Sequence, residues 1–161
     1  ECYKLTKAIN KNVGTRYTCP NGYKKKTVDG EVTGAIGLGF MVLVGFCDGD
    51  TKEIIDKMAN KLKKLRVFDD ADGKMNLALK DVGGDILSIS QFTLYADCSK
   101  GNRPSFCNAM KSDEATKMYD YFNEVLAQDY KVEKGIFGAD MKIKLLNDGP
   151  ITIIMDSKEM L

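Results

Sequence analysis

"LGFMVLVGF", Leu38 to Phe46, is a continuous apolar run with a glycine near each end. No polar residue alternates with the apolar ones, so the stretch reads as a strand buried on both faces. A strand of that kind needs structure layered on either side of it. Downstream, Asp50 offers an N-cap and Glu53, three positions on, completes a capping box. Ile54, Ile55, Met58, Leu62 and Leu65 then fall on one helical face, with lysines on the other. Upstream, "TVDGEVTG", Thr27 to Gly34, is a hairpin turning at Asp29-Gly30.

The pattern continues toward the C-terminus. "DDADGK" is a turn, Met75, Leu77 and Leu79 alternate along an extended segment, and "DVGGD" turns into the strand "ILSISQFTLY". Lys100 to Lys111, "KGNRPSFCNAMK", has no period and reads as a long loop of the sort that carries function. Ser112 looks like the N-cap of a second helix, with Asp113 and Glu114 in its first turn and Ala115, Met118, Phe122, Val125 and Leu126 as its stripe. Two final strands, Met141–Leu146 and Ile151–Met155, are joined by a Gly-Pro turn. The order strand, helix, strand, helix, strand predicts one α/β domain over 1–161, a layered sheet with two packed helices. Residues 1–26 show no convincing period, and no chemistry is assigned to them.

Composition narrows the chemistry. With 161 residues, 43% hydrophobic, one compact core is the natural outcome, since halves of ~80 residues would each be marginal. The net charge of +1 points to no bulk electrostatic partner. The longest apolar run, Leu38 to Cys47, falls short of the ~20 residues of a membrane span. The polar, lysine-bearing start carries no secretory h-region. The 5 cysteines are odd in number, irregular in spacing and without a C-x-x-C, which argues against zinc and for a reduced, cytoplasmic protein. There are 0 histidines, which removes Ser-His-Asp triads, Cys-His dyads, His-ligated metals and His shuttles together. Chemistry must come from carboxylates, hydroxyls, amides, lysine, backbone or the substrate itself.

Two stretches place polar residues where core strands end. "SQFTLYAD", Ser90 to Asp97, sets Ser90, Gln91 and Thr93 where side chains can project into a pocket at the sheet edge. Acyl-transfer chemistry needs donors aimed at a developing oxyanion, worth ~3 kcal/mol each in other enzymes. The N–H groups near Phe92 and Thr93, helped by Gln91 or Ser90, are candidates; local satisfaction of the hydroxyls at a strand end is the other reading. "NDGPIT", Asn147 to Thr152, is either an ordinary tight turn or a placed one, with Asn147 and Thr152 able to brace Gly149-Pro150.

In this order and spacing, "TVDGEVTGAIG", "DGKMNL", "DVGG", "SQFTLYAD", "KGNRPSF", "FGADM" and "NDGPIT" resemble the D-aminoacyl-tRNA deacylases, over about Thr27 to Asp156. Residues 1–26 depart from the family's short opening strand of the type Met-Arg-x-Val-x-Gln-Arg-Val. The resemblance implies α/β/β layers and a cytosolic homodimer without a cofactor. Its activity would be hydrolysis of the ester between a D-amino acid, or glycine, and the 3′-terminal ribose of tRNA, helped by the substrate's 2′-hydroxyl. It places the aminoacyl carbonyl at Ser90, Gln91, Phe92 and Thr93. It also makes Gly149-Pro150 a cis turn, inserted into the other subunit's pocket, that rejects L-residues. By analogy Ala109 walls the amino-acid pocket and Met141 lies against the terminal adenine, a position where a core Met is the alternative. Phe106 packs under the same loop, in either the pocket or the core.

Two other classes compete. Lys61, Lys63 and Lys64, with Lys24 to Lys26, could form the basic surface of a non-catalytic, homodimeric nucleic-acid-binding module, or simply a solvated helix face. A plain oligomerisation domain would explain neither polar stretch.

Overall fold

The computed structural model describes residues 7–11, 26–28, 31–148 and 150–160. The strands are β1 (Lys7–Lys11), β2 (Lys26–Val28), β3 (Glu31–Gly34), β4 (Gly39–Val44), β5 (Arg66–Asp69), β6 (Met75–Ala78), β7 (Asp85–Ser90), β8 (Val132–Lys134), β9 (Lys142–Ile143) and β10 (Thr152–Met155). The helices are α1 (Lys52–Lys63), α2 (Ser112–Ala127) and a short α3 (Ser157–Met160), with a 3-10 turn over Phe92–Tyr95. A five-stranded sheet runs β10-β1-β4-β7-β8, a three-stranded one β3-β2-β9, and β5 pairs with β6.

Side-chain alternation on β4 and β7 builds the layers. Phe40, Val42 and Val44 of β4 and Ile86 of β7 enter a core with Ile55, Met58 and Leu62 of α1 and Phe122 and Leu126 of α2. The intervening residues Met41, Leu87 and Ile89 face the other way, into a second core with Ile36, Met141 and Ile143. The double burial anticipated from the apolar run is therefore real, with a helix layer on one face and the smaller sheet on the other. Burying each large side chain fully is worth roughly 2 kcal/mol. The helices are also tied together directly. Lys63 Nζ donates to the Val125 carbonyl at 2.8 Å and pairs with Asp129 at 2.5 Å, while Tyr121 Oη donates to Asp56 at 2.9 Å.

Several details correct the sequence reading. Residues 7–11, which show no period of their own, form a strand: β1 lies between β10 and β4, antiparallel to both. The N-cap of α1 is Thr51, whose hydroxyl accepts from Ile54 N at 3.4 Å. Asp50 is instead buried and accepts from Cys47 N at 2.9 Å, closing the preceding turn. Ser112 belongs to α2 and makes no capping bond; Lys111 precedes it. The first of the final two strands is shorter than read, Lys142–Ile143, and joins β2, while β10 joins β1. The short strands β5 and β8 and the helix α3 have no clear sequence period, because their few residues are placed by tertiary pairing.

Gly39 marks the tightest approach of β4 to β7. Its φ is +156°, and a Cβ there would fall on the Asp85 carbonyl. Gly39→Ala is expected to destabilise the fold by roughly 3 kcal/mol, read as a lowered urea midpoint with an unchanged slope.

Candidate active site

Strands β4 and β7 run parallel and end together, with Val44 level with Ser90. The Gln91 amide then donates to the Val44 carbonyl at 2.7 Å, and the chain turns at once into the 3-10 turn. Gly45 makes this turn possible: a Cβ there would sit 3.0 Å from the Gln91 carbonyl oxygen and 3.1 Å from the Tyr95 ring. The first amides of a helical turn have no carbonyl behind them within the turn. The N–H groups of Phe92 and Thr93 therefore lie at the carboxyl ends of two parallel strands, where open α/β sheets hold their ligands.

The loop between the 3-10 turn and α2 forms the second wall. Asp97 and Ser105 exchange backbone bonds of 2.8 and 2.9 Å, closing the loop on itself. Met110 N donates to the Phe46 carbonyl at 2.9 Å, which pins the loop's far end to the end of β4. Phe106 meets Phe92 edge-on, with ring centroids 5.0 Å apart. The third wall is Phe137 to Met141, between β8 and β9. Together these walls enclose a cleft of about 600 Å³, a size suited to a small-molecule ligand.

The cleft gathers Ser90, Gln91, Phe92, Phe106, Ala109 and Met141 from the positions singled out in the sequence. Thr93 stands just outside the lining, its hydroxyl accepting from Gln91 Nε2 at 2.5 Å. The Gln91 side-chain amide is thus committed to its neighbour. Asn147, Pro150 and Thr152 do not line the cleft. Asn147 and Thr152 do brace their turn: Asn147 Oδ1 accepts from Ile151 N at 3.2 Å, and its Nδ2 donates to Thr152 Oγ1 at 3.3 Å. Gly149, and with it the peptide bond to Pro150, lies outside the described residues. Sequence reasoning missed Phe137 to Asp140 as a wall, although "FGADM" was the signal for it.

The lining is mostly apolar, and Asp140 is its single ionisable residue, ion-paired to Lys142 at 2.9 Å. Among the described residues, no three His, Cys, Asp or Glu side chains gather so as to hold a metal ion. Beneath the cleft, burial pushes the Tyr95 phenol far above its ordinary range, with the charges of Asp50 and Asp156 adding to it. Burial also raises the Asp50 carboxyl, against the opposing hydrogen bond from Cys47, and Asp156 pushes it the same way.

The family model for D-Tyr-tRNA(Tyr) deacylase matches residues 24–156. A solved structure of a c-Myc DNA unwinding element binding protein is 35% identical, with 94% of this chain and 97% of that one covered and a TM-score of 0.82. A probable eukaryotic D-amino acid tRNA deacylase shares the fold at 18% identity and a TM-score of 0.66, with 96% and 95% covered.

The raised Asp50 carboxyl has a consequence for stability. An acid whose folded pKa lies above its unfolded value favours the fold fully below the unfolded pKa, near 3.8 for Asp. That contribution is lost as pH rises through the folded value. Asp50→Asn keeps an acceptor for Cys47 N but cannot ionise. The melting temperature of the original protein, relative to Asp50→Asn, should therefore fall as pH is raised from about 4 to 7. Thermal melts across that range check it; a difference that grows with pH contradicts it.

Proposed function

The chain belongs to the D-Tyr-tRNA(Tyr) deacylase family, and from that premise we propose how its cleft works and on what. The protein is an ester hydrolase, a D-aminoacyl-tRNA deacylase. The substrate is the ester between a D-amino acid, or glycine, and the 3′-terminal adenosine of mischarged tRNA. One observation carries this reading. Ser90 to Phe92, Phe106, Ala109, Met110 and Phe137 to Met141, distant in sequence, converge on one cleft in a chain without histidine.

In the proposed reaction the aminoacyl carbonyl faces the N–H groups of Phe92 and Thr93. Water adds to the carbonyl carbon, and the charge that develops on oxygen is met by these fixed donors. The carbon–oxygen ester bond then breaks, and the ribose 3′-oxygen leaves with a proton while the amino acid departs as its carboxylate. With no imidazole in the chain, the vicinal 2′-hydroxyl of the substrate activates or orients the water. Ala109 and Phe106 wall the amino-acid side, and Met141 lies toward the adenine. Catalysis is then mainly positioning and electrostatics.

The cleft of one subunit is completed by Gly149 and Pro150 of the partner subunit, held by their Asn147–Thr152 brace. That turn, cis by resemblance, presses on the α-carbon and leaves room for hydrogen but not for an L side chain. Support for a homodimer comes from β10, an edge strand of the large sheet with Ile154 68% exposed. Leu145 and Leu146, also exposed, lead into the same turn. An edge strand with apolar side chains in water is a pairing surface. The deacylase unit is the chain from 1 to 161, working in the cytoplasm; no described helix is long and apolar enough to cross a membrane. A second reading, a nucleic-acid-binding module without catalysis, draws on the 35% identical DNA unwinding element binding protein.

Hydrolysis of matched D- and L-aminoacyl-tRNA by the purified protein decides between them. Several D-residues and glycine should be turned over, with a D-to-L ratio above the ~200-fold that one methylene of pocket fit supplies. A pure binder leaves all of them intact.

Removing the 2′-hydroxyl from the terminal ribose should slow turnover by roughly a hundredfold or more, the usual scale of acid–base assistance. Thr93→Ala should slow it only about two- to tenfold, the worth of one hydrogen bond. An acyl group trapped on Thr93 overturns this mechanism. Light scattering should report a dimer at micromolar concentration; an active monomer overturns the shared cleft.

A further inference from the structure

Tyr119 occupies the core stripe of α2 at 1% exposure, where a phenylalanine would pack as well. A buried phenol that lacks partners is costly, so where its hydroxyl goes is informative. It donates to the Ser88 carbonyl at 2.8 Å and accepts from Gly135 N at 2.9 Å. The same Gly135 amide also reaches the Ser88 carbonyl, at 2.8 Å. Ser88 is level with Lys134, the last residue of β8. The hydroxyl therefore sits at the point where the chain leaves the sheet to become the cleft's third wall.

The wall is packed onto this point. A Cβ at Gly135 would lie 3.1 Å from Met141 Sδ and 3.3 Å from the Tyr119 hydroxyl. The Phe137 ring lies 6.1 Å from the Tyr119 ring. Two residues on, on the other side, β7 delivers Ser90 and Gln91 to the opposite wall. One hydroxyl thus joins α2, the strand bearing the donors and the segment facing them. The other tie between α2 and β8, Lys134 to Asp120 at 3.1 Å, is exposed to water and holds far less firmly.

We propose that the Tyr119 hydroxyl is a positioning group that fixes the spacing between the Ser90–Phe92 wall and the Phe137–Met141 wall, and so sets affinity for the aminoacyl-adenosine end. It rests on the reading of this cleft as the deacylation site. Tyr119 touches no substrate and acts through Gly135 and Met141.

The test uses Tyr119→Phe, Gly135→Ala and their double variant in the full chain. Tyr121→Phe is the control, since it removes a buried-edge bond from the same helix but one directed to Asp56. Tyr119→Phe should raise KM for D-aminoacyl-tRNA roughly three- to tenfold, with kcat within about twofold. The double variant should be no worse than the poorer single one, because both break one clamp. Tyr121→Phe should leave KM unchanged. Amide exchange over residues 135–141 should quicken in Tyr119→Phe and not in Tyr121→Phe. An unchanged KM in Tyr119→Phe, an equal rise in the control, or additive effects overturn the proposal. Absence of hydrolysis by the original protein sinks the reading of the site instead, and unchanged exchange over 135–141 then overturns the clamp by itself.

Discussion

The parallel pairing of β4 with β7, from Gly39 level with Asp85 to Val44 level with Ser90, is the constraint from which the remaining geometry follows. Side chains alternate along a strand, so a slip of one residue would exchange the two cores. Phe40, Val42 and Val44 would leave the helices, and Met41 would leave the smaller sheet. Gly39 enforces the register at one end, because no side chain fits between the strands there. At the other end Gly45 lets the Gln91 carbonyl and the Tyr95 ring close over the strand terminus. The cleft opens where this pair of strands ends.

That origin explains the character of the site. In the proposed reaction its donors are main-chain amides, and its walls are mostly apolar, with one ion-paired carboxylate. Such a cleft has little with which to generate a nucleophile and much with which to hold an ester still. The division of labour proposed above, with positioning from the protein and the proton relay from the substrate, suits a chain that contains 0 histidines.

How much of this was legible depended on whether a segment carries its own periodicity. Leu38–Phe46, the α1 face and the α2 stripe all have strong patterns, and all three stand as read. Residues 7–11 have none, yet β1 sits second in the large sheet, because its hydrogen bonds to β4 and β10 override a weak local signal. Thr51 took the capping role from Asp50 because Asp50 had a nearer donor in Cys47 N. Ser90 and Gln91 were legible as polar residues where a core strand ends, and both line the cleft, whereas Thr93, read the same way, stands outside it. Phe137 to Asp140 were not, since a wall with no polar side chain except Asp140 looks like any loop until Tyr119 and Gly135 are seen to hold it.

The position of β1 also bears on how the protein comes into being during synthesis. Lys7 is level with Met155, and Asn10 with Thr152, so β1 is flanked on one side by β10, the described strand farthest from it in sequence. On the ribosome β1 can meet β4 early, but β10, which covers its other side, is made long afterwards. Non-local closures of this kind slow folding more than they affect final stability. Until then β1 offers nascent chains an open row of main-chain donors and acceptors, a hazard on crowded polysomes. Closure of the large sheet thus waits until β10 has left the ribosome.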